Sequence, residues 1–477
     1  MWNNKFQIIF SLIIIIIILN ISYESYVSIP FKIYREDEPS IYTTIEDYFT
    51  YQRDLKYYGY ISMGEKQVKI PIIFSFDDFG FYFVTNGTNI GNVDKTYIPK
   101  ESPSCKMEKF SYLFFKSYQN ATKANDTFSF NIDNGNPLKC ESIRFLYAFM
   151  DNKKKNSFLM VGLRLIGDLI RDSELNLVQQ LKKNKYTDTY DWSIHYDEKN
   201  PENEGVLLIG TQPHNYKPEK YDENSYFNSV TMSKELYGIW YIQFDKIYFV
   251  NKGDQIEITD FMKFSLVHKS GIIAGTKSYE KLIKTHFFDS FISKNKCYME
   301  TSKLNSRVYI CKNNEPIKNE LKSKFPPLKM EHKAFMKTFE LTYDDLFKEK
   351  GDKIYFLIYF SYYQASTWEV GLPFLKKYFF NYNYDSKLIY YYNNEAGKIG
   401  NNEIEKEGNG KLKFIVIIGL IFVVTILGFY FGRKYVSMKV SQKISAKELE
   451  NEFSKHIDES GYQPPINENE NSKYRLI

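Results

Sequence analysis

The chain has 477 residues, 43% hydrophobic and 18% aromatic, with 41 tyrosines and 39 phenylalanines. That is enough apolar material for one large two-lobed core or two ordinary domains. A formal net charge of +5 over this length leaves no global field of the kind that draws a protein onto nucleic acid, so no nucleic-acid partner is expected.

In chain order, residues 1–22 read as a signal peptide. A short basic start at Asn3-Asn4-Lys5 leads into an apolar run from Phe6 to Leu19, with cleavage expected between Ile21 and Glu24. Short runs rich in aromatic and β-branched residues then alternate with turn residues, as in Tyr58–Met63, Lys69–Phe74, Val206–Ile209, Trp240–Val250 and Ile354–Phe360. This predicts a mostly antiparallel all-β body with brief helical exceptions such as Asn176–Leu181. Residues 393–413 form a polar stalk. Phe414–Gly432 carries no charge and is long enough to cross a bilayer as one transmembrane helix. A signal peptide with one stop-transfer segment predicts a single-pass type I membrane protein of the secretory or endolysosomal pathway or cell surface. Its cytosolic tail is residues 433–477.

Four cysteines, Cys105, Cys140, Cys297 and Cys311, all precede the apolar segment, as suits an oxidising compartment. They fall two to each half, so Cys105–Cys140 and Cys297–Cys311 is the simplest of three connectivities. No CxxC or HExxH spacing occurs, so neither a metal nor another cofactor is expected. Sequons at Asn86, Asn120 and Asn125 are candidate glycosylation sites.

Several fragments carry a resemblance. Tyr57-Tyr58-Gly59-Tyr60-Ile61-Ser62-Met63-Gly64 leads into Ile72-Ile73-Phe74-Ser75, and Glu204-Gly205-Val206-Leu207-Leu208-Ile209-Gly210 follows. Trp240-Tyr241-Ile242-Gln243-Phe244-Asp245, Lys324-Phe325-Pro326-Pro327-Leu328 and Trp368-Glu369-Val370-Gly371-Leu372-Pro373-Phe374 complete the series. In this order they resemble the pepsin-like aspartic peptidases. The resemblance implies a bilobal all-β fold, with an N-terminal lobe over 56–205 and a C-terminal lobe over 206–392. Ser28-Ile29-Pro30-Phe31-Lys32 is similar to the start of a prosegment, so 23–55 is a short prosegment-like region.

That family's chemistry needs two carboxylates a hydrogen bond apart, one from each lobe, sharing a proton. The position matching the first aspartate holds Ser75. The second falls in Ser265–Gly275 and holds His268, or Val267 if a one-residue gap lies earlier. Neither is acidic, so no catalytic residue is assigned and the chain reads as a pseudopeptidase that binds a luminal peptide or protein. Rival readings are an active endopeptidase whose dyad is displaced, for instance to Asp78 in Asp78-Phe79-Gly80, and a luminal cargo receptor. A Ser75–His268 hydroxyl–imidazole pair is a further chemical option. Crowding by Phe76, Phe79, Phe81 and Phe114 would plug the cleft. In the tail, Tyr474-Arg475-Leu476-Ile477 has the Tyr-x-x-apolar form read by clathrin-adaptor sorting machinery, with Tyr474 and Ile477 as its two anchors.

Overall fold

The computed structural model describes residues 26–35, 38–77, 80–85, 97–108, 121–130, 137–149, 157–164, 173–217, 221, 226–231, 239–259, 262–361, 367–392, 433, 445–449 and 451. The chain divides into two compact units, 1–398 and 399–477. In the second, 445–449 are helical. The expected signal peptide, the stalk, the segment 414–432, and Tyr474 and Ile477 lie outside the described residues, as do Asn86 and Asn120. Among the described residues no helix is long and apolar enough to cross a membrane.

The first unit is mostly β. It begins with β1 (Val27–Tyr34), helix α1 (Ile45–Arg53), β2 (Lys56–Met63), β3 (Val68–Ser75) and β4 (Phe81–Thr85). Next come β5 (Lys106–Met107), β6 (Ala121–Phe130), β7 (Leu138–Phe149) and β8 (Ser157–Gly162). Strands β9 (Asp191–Tyr196), β10 (Glu204–Ile209) and β11 (Tyr226–Thr231) follow. The second half supplies β12 (Tyr241–Gln243), β13 (Lys246–Asn251), β14 (Asp254–Glu257), β15 (Lys263–Leu266) and β16 (Ile273–Gly275). It continues with β17 (Cys297–Thr301), β18 (Ser306–Lys312), β19 (Leu328–His332), β20 (Lys337–Leu341), β21 (Phe347–Lys350), β22 (Lys353–Ser361) and β23 (Trp368–Val370). The last two strands, β24 (Phe379–Asn383) and β25 (Leu388–Tyr392), return to the first sheet, which runs β11-β25-β24-β9-β10-β1-β2-β3-β8-β4-β7-β6-β5. The second half forms a sheet β12-β15-β23-β16-β22-β18-β17, with β21 on β22, and a smaller sheet β14-β13-β19-β20.

The prosegment-like stretch is part of this architecture. In β1 the alternating residues Val27, Ile29, Phe31 and Ile33 are buried, as a period-two pattern requires. β1 is hydrogen-bonded antiparallel on both sides, to β10 and β2. Helix α1 starts on a capping box, with Thr44 and Asp47 bonding each other's backbone, and closes with Arg53 in its last turn. Its face Ile45, Tyr48 and Phe49, with Tyr42, buries against Ile272, Ala274, Val308, Tyr355 and Tyr359 of the second half. Tyr48 stacks on Tyr355 with ring centroids 4.7 Å apart.

The two halves repeat one connectivity. β3 runs parallel to β8, β8 runs antiparallel to β4, and β4 runs parallel to β7. Likewise β15 runs parallel to β23, β23 antiparallel to β16, and β16 parallel to β22. In each half a later strand is inserted between two consecutive ones, and both inserted strands end in Val-Gly-Leu, at 161–163 and 370–372.

One disulfide joins Cys297 to Cys311, directly opposite each other on β17 and β18. The expected Cys105–Cys140 bridge is absent; both are free thiols. Cys105 immediately precedes β5, whereas Cys140 lies on β7 opposite Phe128, with β6 between the two strands. Two strand spacings separate backbones by about 10 Å, beyond the Cα–Cα reach of a disulfide. Burial pushes the Cys140 thiol up to about 12. Alkylation of the unfolded, unreduced protein is expected to label two of its four cysteines, identified by peptide mass as Cys105 and Cys140; an unlabelled chain would show a second bridge.

Candidate functional site

The duplicated strands bring two loops together. Val161 on β8 lies opposite Phe74 of β3 and Phe81 of β4. Val370 on β23 lies opposite Leu266 of β15, and the Ala274–Glu369 pairing puts Ile273 opposite Val370 on the other side. The intervening loops, 75–80 and 267–272, are therefore the same length. By register Ser75 is equivalent to Val267, Phe76 to His268, and Asp77 to Lys269. Of the two residues the sequence offers opposite Ser75, the strand pairing selects Val267.

The equivalent residues meet. Phe76 and His268 stack, their ring centroids 4.7 Å apart and their planes 25° from parallel. Asp77 and Lys269 form an ion pair between the loops. Asp77 is largely exposed, so that pair contributes little to stability. Asp78 and Phe79 lie outside the described residues, as does Phe114. Phe81 is buried with Phe128 and Phe145 and takes no part in the junction.

His268 is held in a tyrosine cage whose protons can be assigned. The Tyr57 hydroxyl donates to the backbone oxygen of His268 at 2.6 Å, which uses its one proton. Its contact with Tyr196, 3.2 Å, must then be donated by Tyr196. The Tyr196 oxygen consequently accepts from His268 Nδ1–H at 3.1 Å, and Nε2 accepts from the Tyr382 hydroxyl at 2.8 Å. The imidazole is thus the neutral Nδ1–H tautomer, and burial pushes its pKa down to about 3. Both ring nitrogens are engaged by tyrosines, so neither is left to act as base toward Ser75. The Ser75 backbone oxygen accepts from Leu163 N–H at 2.7 Å, tying the first loop to the inserted strand.

The floor of the junction is aromatic. Trp192 on β9 stacks on Tyr382 of β24 at 4.2 Å, with Trp240 edge-on to both. The Trp240 indole N–H donates to the Leu163 carbonyl at 3.1 Å. The chain leaving α1 runs along the second loop: Gly271 N–H donates to the Gln52 oxygen at 2.6 Å, and Leu55 N–H to the Lys269 oxygen at 2.7 Å. A cavity of about 370 Å³ remains against Phe76, Trp192, Trp240 and His268. A larger one, about 860 Å³, lies over β1, β2, β9 and β10 and includes no residue of either loop.

Sequence reasoning did not find Tyr57, Trp192, Tyr196 or Tyr382 as site residues. The usable signal was the repeated Val-Gly-Leu, which fixes the equivalence of the loops. Of the candidate glycosylation sites, Asn125 is half-buried in β6, between Lys106 of β5 and Arg144 of β7.

No family model matches the chain, and no curated protein matches it. Among solved structures the chain is similar to the crystal structure of basic 7S globulin from soybean, at 8% identity and a TM-score of 0.49, over 77% of this chain and 95% of that one.

A histidine whose folded pKa lies near 3 instead of 6.5 favours the folded state while neutral. Its contribution is complete above pH 6.5 and declines by about 1.4 kcal/mol per pH unit as pH falls toward 3. Burial raises the Asp191 carboxyl, which acts in the opposite sense. Comparing unfolding free energies of the wild type and His268→Gln cancels that group. The advantage of the wild type is expected to shrink below pH 6.5; a constant difference would contradict the buried neutral ring.

Proposed function

We propose that this protein is a membrane-anchored, pepsin-like pseudopeptidase whose luminal body binds peptide or protein segments without cutting them. One observation carries the reading: where two equivalent loops converge, Phe76 stacks on a caged, neutral His268. Water activation by a shared-proton dyad requires two carboxylates within a hydrogen bond of each other. At this junction the carboxylate of Asp77 is instead engaged by Lys269. The imidazole lone pair is spent on Tyr382, which also removes the general base a serine nucleophile would need.

The duplicated connectivity is what the resemblance implies for two lobes, and the mostly β body agrees with it. Peptide binding is supported by the cavity of about 370 Å³ with an aromatic floor beside the loops. Placement in the secretory or endolysosomal pathway rests on the apolar segments 6–19 and 414–432 and on the tail motif.

The full-length protein in detergent, incubated at acidic pH with a peptide library, is expected to retain peptides and yield no cleavage products. Acid-dependent cleavage blocked by a statyl-type inhibitor would overturn the reading. Separately, Tyr474→Ala is expected to move the protein to the cell surface, as seen by surface labelling; an unchanged distribution would remove the adaptor signal.

A further inference from the structure

The cavity beside the loops contains two opposite charges that do not neutralise each other. Arg53, in the last turn of α1, lays its guanidinium 4.5 Å from the centre of the Tyr359 ring and donates to the Tyr359 hydroxyl at 2.7 Å. Phe49 flanks it at 5.7 Å. Among the described residues no carboxylate pairs with it. The fork is thus held in place by aromatic contacts with further N–H donors to spare. Across the cavity stands Glu369 on β23. Its neighbours Trp368 and Val370 are buried in the core, so strand alternation turns Glu369 to the cavity face, half-buried. Among the described residues Glu369 makes no hydrogen bond or ion pair. The other charges at this wall are already engaged: Asp77 with Lys269, and Arg164 with the Asp77 backbone oxygen at 3.1 Å.

Their spacing follows from the sheet. Tyr359, Ala274 and Glu369 form one row across β22, β16 and β23. Arg53 over Tyr359 is therefore about 10 Å, two strand spacings, from the Glu369 backbone. Half-buried charges without partners are costly, and at this separation they relieve each other little. A ligand carrying both opposite charges would satisfy them together. Two residues of extended peptide span about 7 Å, leaving room for a hydrogen bond at each end.

We propose that this cavity binds a dipeptide-sized zwitterion, its carboxylate on Arg53, its ammonium on Glu369 and an apolar side chain on the floor of Phe76, Trp192 and Trp240. This rests on the non-cleaving, peptide-binding reading and narrows it to free short peptides.

Trp192 and Trp240 report directly, because both line the cavity. The full-length protein in detergent is titrated with leucyl-phenylalanine, its N-acetyl derivative and its C-terminal amide, reading tryptophan fluorescence. A saturable change with the free dipeptide is expected, and each blocked form should bind about tenfold or more weaker. Glu369→Gln should weaken the free dipeptide but not the N-acetyl form; Arg53→Gln should weaken it but not the amide. Equal binding of free and blocked forms by the wild type overturns the proposal without relying on any variant. So does retention of long peptides with no response to the dipeptide, an outcome that leaves the broader binding reading standing. Mass spectrometry of the same samples keeps the two apart: free leucine and phenylalanine would overturn the non-cleaving reading, while the pattern of blocked ligands still decides this one.

Discussion

Each half of the body depends on threading one strand between two neighbours that are already joined by a short loop. The inserted strand must pass where the loop backbone turns back, so there is no space for a side chain at that point. At Gly371 an added Cβ would lie 2.1 Å from the Ser270 oxygen and 2.6 Å from that of Ile272, both backbone atoms that cannot swing away. That steric demand positions the loop 267–272, and the hydrogen bond from Leu372 N–H to the Ser270 oxygen, 2.7 Å, fastens it. Gly162 holds the corresponding place in the first half, its N–H donating to the Gly80 oxygen at 2.7 Å.

With both loops fixed, the chemistry at their junction follows from what occupies the equivalent positions. A carboxylate pair placed there would have to share a proton, because two like charges in a desolvated site cannot both ionise. Neither the Ser75 and Val267 pair at the equivalent positions nor the stacked Phe76 and His268 beside it raises that problem. The ring stack is apolar, and the imidazole satisfies both nitrogens within a chain of tyrosines that leaves none of its protons without an acceptor. The arrangement is closed: each of these protons is already committed to a partner within the network. Among the described residues, the cavity next to the cage keeps two charges without partners, Arg53 and Glu369, whereas the ring nitrogens of the cage are both engaged.

The N-terminal segment reinforces that separation. β1 supplies an interior strand of the large sheet, and α1 covers one face of the second-half sheet. Residues 52–57 then hydrogen-bond along the second loop. Detaching this stretch would strip both neighbours of β1 of backbone partners and expose the aromatic surface around Tyr48 and Tyr355. Arg53 reaches the cavity wall because α1 is docked, so the same segment that braces the loops also furnishes one of the two cavity charges that have no partner among the described residues.

Much of the local structure was legible from the chain alone. Runs of aromatic and β-branched residues gave β2, β3, β10 and β22; the apolar spacing over Asn176–Leu181 gave a short helix, Leu177–Lys183; two cysteines in the second half gave the Cys297–Cys311 pair. These features depend on residues close together in sequence, where periodicity and turn chemistry are decisive. The pairing of Cys105 with Cys140 failed because parity of number says nothing about the strand that lies between them. The interior place of β1 was not legible because its two flanks are covered by β2 and β10, the latter remote in sequence. The caged imidazole was invisible for the same reason. Tyr57, Tyr196, His268 and Tyr382 come from four distant segments, and a single-residue shift of any strand would turn its side chain to the other face. Sequence determined which segments could be strands and which residue types stood at the loops; only the register of long-range pairing decided which of those residues touch.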